Sequence, residues 1–113
     1  MIKENLIHGV GCQYQSTGQS LWPRVKSGDC CFFEPVLDPD LLKLNDIVFC
    51  QVQPSERFFA HMITEMKVDP AASAKNRRAW TIGNINGHVN GWCYDRHIYG
   101  RMVECVKTSW SIE

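Results

Sequence analysis

The chain has 113 residues, and twelve Lys plus Arg balance twelve Asp plus Glu for a formal net charge of zero. That length fits one domain with its own core, here residues 1–113, and the lack of any basic block argues against nucleic acid as the main partner. An apolar fraction of 44% with 11% aromatic residues excludes a disordered chain.

Residues 6–14 contain Gly9 and Gly11 and read as an irregular lead-in or edge segment. Residues 30–34 form a short apolar run closed by Pro35, the length of a buried strand. Residues 38–44, and the stretch 20–26, suggest helical turns. The run 46–52 is rich in β-branched and aromatic residues and predicts a strand; 58–66 is its return partner across a turn at 54–57. Residues 69–78 read as a solvated loop or short helical turn, with Lys75, Arg77 and Arg78 as a small exposed cluster. Strand character resumes at 79–82 and stops at Gly83. Three glycines and three asparagines in residues 83–91 predict a turn-rich loop, since both residue types tolerate positive φ. Residues 98–106 give a last strand. The expectation is a mainly β domain whose sheet is closed or half-closed.

Six cysteines stand at Cys12, Cys30, Cys31, Cys50, Cys93 and Cys105. An even count in a short chain raises the question of a disulfide framework. No secretory leader precedes them and no pair has C-x-x-C spacing, so reduced, mostly buried thiols in a cytoplasmic protein are expected. No apolar run approaches the roughly 20 residues that cross a bilayer, so no membrane anchor is expected. His8, His88 and His97 lack metal-ligand spacing, and neither a metal nor another cofactor is predicted.

The most informative stretch is Gly18-Gln19-Ser20-Leu21-Trp22-Pro23, followed by Gly28-Asp29. Gly18 permits an unusual backbone and Pro23 fixes φ, so Ser20 sits on a constrained turn. Such a turn can present a hydroxyl beside a free backbone N–H, as a serine nucleophile and its oxyanion donor require. Taken alone, the same residues also suit an ordinary loop ending in a Ser-Gly-Asp turn.

These residues, in this order, resemble the LexA/signal-peptidase superfamily of serine peptidases, whose nucleophile lies in Gly-x-Ser-Met-x-Pro before a Gly-Asp turn. Asn45-Asp46-Ile47-Val48 resembles its Gly-Asp-Ile-Val strand, and Phe59-Ala60-His61-Met62-Ile63 its base-bearing strand, with His in place of Lys. Ile82-Gly83-Asn84-Ile85 matches its next turn loosely, and Ile98-Tyr99-Gly100-Arg101-Met102-Val103 its final strand. The resemblance spans residues 17–106. It implies a coiled, partly barrel-like mixed β fold. Ser20 would be the nucleophile, with its own N–H an oxyanion donor, and His61 the general base; Gly18 and Trp22 would border the substrate groove.

Three positions depart from the family pattern. Asn84 stands where the family has an acid and cannot stabilise imidazolium by charge; Asp95 is the nearest acidic alternative for a third member. Leu21 replaces Met, and Met62 replaces the Arg after the base. The residues before Ser20 hold no Ala-Gly or Cys-Gly bond and no helix-turn-helix pattern, so neither a self-cleaving repressor nor an anchored signal peptidase is expected. Two readings remain: a stand-alone peptidase cutting a protein in trans by a Ser20–His61 dyad, or a catalytically degenerate copy that binds proteins or peptides and regulates or inhibits them. Association into a homodimer is compatible with both.

Overall fold

The chain forms seven strands: β1 (Cys12–Gln15), β2 (Cys30–Pro35), β3 (Ile47–Gln51), β4 (Phe58–Val68), β5 (Arg78–Gly83), β6 (Val89–Tyr94) and β7 (Ile98–Val106). The structure is a computed structural model and describes residues 6, 11–15 (for 12–15 the backbone only), 25, 28–71 and 78–106. The strands form one sheet in the order β1-β2-β7-β3-β4-β5-β6. Every pairing in it is antiparallel. Single 3-10 turns occur at Pro39–Leu41, where Asp38 caps the Asp40 N–H, and at Asp95–His97.

Burial on both faces explains why β3 is so apolar. Ile47 and Phe49 pack with Leu6, Val25, Cys31 and Phe33 on one face. Val48, Cys50 and Val52 pack with Ile63, Trp80, Ile82, Cys93 and Ile98 on the other. The predicted hairpin forms as Gln51 pairs with Phe58. Its turn is held by Val52 N–H donating to Arg57 O at 2.9 Å and Glu56 N–H to Val52 O at 2.7 Å. In β4 the register shifts between Ile63 and Glu65. This bulge at Thr64 sends Glu65 and Lys67 to solvent after Ile63 has entered the core.

The loop expected at residues 83–91 is shorter than its composition suggested, and β6 begins inside it. Asn84 makes the compact turn: its Oδ1 accepts from the N–H groups of Asn86 (2.9 Å) and His88 (3.0 Å). One asparagine thus satisfies two turn donors and frees Val89 to pair with Gly83. Beyond β3, Gln53 and Trp92 exchange backbone hydrogen bonds of 2.7 and 3.2 Å. That bridge curls β3 to β6 around Val52, Trp80 and Cys93.

The mainly β expectation holds, but the sheet is not closed into a barrel. Among the described residues its order leaves β1 and β6 as edges, one bridge is not a ladder, and no pair mixes strand directions. The strands expected at 30–34, 46–52, 58–66, 79–82 and 98–106 and the turn within 38–44 are all present. Of residues 20–26 only Val25 is described, and residues 72–77 lie outside the described set. Among the described residues no helix is long and apolar enough to cross a membrane.

None of the five cysteines with described side chains is in a disulfide; Cys31, Cys50 and Cys93 are buried, Cys30 and Cys105 half-buried. Cys50 and Cys93 meet inside the curl, where their mutual hydrogen bond and burial push the Cys50 thiol well above its ordinary pKa.

The bridge depends on Gly91, whose φ is +153°. A Cβ there would collide with the Gln53 carbonyl oxygen and come within 3.0 Å of Val52 Cβ. Gly91→Ala is expected to lower unfolding free energy by about 2–4 kcal/mol, read from the urea midpoint.

Candidate functional site

His61 lies within β4, where it pairs with Val48 of β3. Pairing puts its side chain on the face shared by Val48, Phe59 and Ile63, away from Ala60 and Met62. The Phe59 ring packs edge-on against the imidazole, with centroids 4.9 Å apart at 65°. His61 Nδ1 is 2.9 Å from the Ala60 carbonyl oxygen. A carbonyl only accepts, so Nδ1 carries the proton, and in the neutral ring Nε2 keeps its lone pair.

Burial holds the His61 pKa below the ordinary 6.5; the Ala60 hydrogen bond raises it, and nearby His88 adds to the lowering. His88 comes close through the Asn84 turn, since Gly83 pairs with Met62 and Asn84 follows it just beyond the ladder. The loop histidine is therefore an electrostatic neighbour of the strand histidine. No spacing in the sequence announced that, because the turn that folds it back is built by one asparagine side chain.

Neither candidate for a third member is free to serve His61 with its acceptor oxygen. Asp95 Oδ2 accepts from Arg78 Nε at 3.0 Å and Nη2 at 2.6 Å, and its Oδ1 accepts from Trp80 Nε1 at 2.5 Å. Arg78 also reaches Asp40 at 2.7 Å. Asp95 thus fastens the 3-10 turn after β6 to β5. Asn84 Oδ1 is used by its own turn. Among the described residues, the ring of His61 has the Ala60 carbonyl as its orienting partner and no carboxylate.

Ser20, Gly18 and Trp22 lie outside the described residues. Val25, five positions after Ser20, is buried with Leu6 and Ile47 on the face opposite His61. Asp29, which the motif treated as part of a turn, is wholly buried. It follows Gly28 at φ +94°, and its Oδ2 lies 3.8 Å from Cys105 Sγ. Its sequence signal was Gly28-Asp29 itself, but only the fold shows that the carboxyl points inward.

No group of three His, Cys, Asp or Glu among the described residues is placed to hold a metal ion. Comparison of the chain with protein-family models, curated proteins and solved structures gives no match.

Neutral His61 contributes stability that is whole above about pH 6.5 and is lost as pH falls through the lower folded value. In an NMR titration the His61 ring signals are expected to move with a midpoint below 6.5. His88→Ala should shift that midpoint upward by removing a repulsive neighbour.

Proposed function

We propose that this chain is a peptidase-like β domain of the LexA/signal-peptidase type that cuts a protein substrate in trans, with Ser20 as nucleophile and His61 as general base. The observation that carries the reading is the state of His61: neutral, half-buried, with Nδ1–H on the Ala60 carbonyl and Nε2 left as the acceptor. In this scheme Nε2 takes the Ser20 Oγ proton as Oγ bonds to the substrate carbonyl carbon. The same proton passes to the leaving amine as the peptide bond breaks, and water repeats the cycle to release the acyl group. The Ala60 carbonyl takes over the orienting task that a carboxylate has in a triad. It supplies no full negative charge, so the imidazolium is less stabilised and turnover is slow.

One observation favours a second reading, a domain that keeps a peptide groove without catalysis. Asp95 is committed to Arg78 and Trp80, which leaves the dyad without an anionic partner. Loss of such a partner costs rate far more than binding. Both readings take a protein or peptide as ligand, require no cofactor and suit the cytoplasm.

Labelling with a fluorophosphonate probe separates them. Under the first reading wild type is labelled, while Ser20→Ala and His61→Gln lose label by about 100-fold or more. Its rate should rise with pH about a midpoint below 6.5, set by His61. Wild type that stays unlabelled yet retains unfolded peptides selects the second reading. Label that persists in Ser20→Ala overturns the assignment of the nucleophile.

A further inference from the structure

The outward face of β4, β5 and β6 beyond the Thr64 bulge carries two parallel rows of side chains. Register places Glu65 beside Thr81 and Thr81 beside Trp92. It also places Lys67 beside Ala79 and Ala79 beside Tyr94. The rows floor an open cleft of 580 Å³, flanked by Val68 and Val89. Trp92 is 39% exposed, and Val68 and Val89 are more than half exposed. The Trp92 and Tyr94 rings stand 5.1 Å apart at 75°. Glu65 and Lys67 are exposed, and neither forms an ion pair with another described residue.

Each row thus runs charged, small, aromatic, and the charges of the two rows are opposite. The rows are two residues apart on every strand, about 6.8 Å. A half-turn about an axis parallel to the rows and midway between them exchanges one row for the other. We infer that this face is the self-complementary interface of a homodimer. When a second copy packs face to face about that axis, Glu65 meets the partner's Lys67 and Thr81 meets the partner's Ala79. Trp92 likewise meets the partner's Tyr94. Symmetry makes every contact twice, the mark of an isologous interface. Stacked sheets lie about 10 Å apart, a gap that opposed Glu and Lys side chains span and an aromatic pair fills.

The charge pattern makes the test specific. Sedimentation equilibrium on the full chain under reducing conditions, so that thiols cannot cross-link copies, is expected to show a dimer in the micromolar range. Glu65→Lys and Lys67→Glu each place like charges together twice and should weaken the dimer about tenfold or more. The double variant E65K/K67E should return to within about threefold of wild type, because the swap preserves complementarity. An equimolar mixture of the two single variants should form a heterodimer that neither forms alone. These side chains are exposed, and circular dichroism should show each variant folded. A wild type that is monomeric throughout this range overturns the inference. So do a dimer indifferent to both single reversals, and single variants that stay monomeric when mixed. A peptide or an unrelated protein as the true occupant would appear as one of these results.

Discussion

The last strand holds the sheet together. β7 lies between β2 and β3, pairing through residues 100–106 with the first and through residues 98–101 with the second. The strands on one side come from the start of the chain, and those on the other from its middle. Ile98 enters the core inside the curl, while Tyr99, Met102 and Cys105 pack against the opposite core. At Gly100 a Cβ would meet Leu6 Cδ1 at 2.7 Å and the Glu34 carbonyl at 3.2 Å, so a larger residue would push the Leu6 side chain off β7. Register shifts in β2 and β3 beside β7 let its ladders follow a twisted sheet. The Arg101–Glu34 pair at 2.8 Å crosses the same junction but is half-exposed and adds little. Apolar burial on both faces is the stronger tie.

That two-sided packing also decides what His61 can be. Around residues 59–63 β4 packs against both cores, which takes His61 partly out of water, lowers its pKa and leaves a neighbouring carbonyl as its partner. The acids that might have charged the site are claimed by structural tasks. Asp95 gathers an arginine and an indole N–H to fasten the turn between β6 and β7, and Asp29 is drawn inside beside Cys105. The result is a histidine whose tautomer is set but whose cationic form is poorly supported.

Much of the sheet was legible because its strands are dense in Val, Ile, Phe and Cys and are closed by Pro35, Pro54 and Gly83. β6 was not, for a definite reason. Val89-Asn90-Gly91 looks like loop chemistry, and it pairs as strand because the Asn84 side chain closes the preceding turn and Gly91 fits against Gln53 and Val52. Side-chain closure of a turn and close backbone approach are tertiary facts that composition does not encode. His61 stands out in the sequence by its place in a series of short motifs. Its partnership with Ala60 and His88 does not, because both arise from backbone geometry. Asp95 was proposed on proximity along the chain, yet Arg78, seventeen positions earlier, is its partner across the sheet. Glu65 and Lys67 carry no signal in the sequence, because the bulge at Thr64 decides which side of β4 they face.

The pair of thiols inside the curl gives this molecule an internal reporter. Cys50 sits on β3 and Cys93 on β6, and the strands between them, together with the Gln53–Trp92 bridge, enclose both. Reagents in water reach them only when that enclosure opens, and the raised pKa of Cys50 keeps its thiol protonated and poorly nucleophilic until then. Cys30 and Cys105 are half-buried and stand nearer solvent. One chain therefore carries two clocks: a surface thiol rate set by local exposure, and an interior rate set by how often the whole curl comes apart.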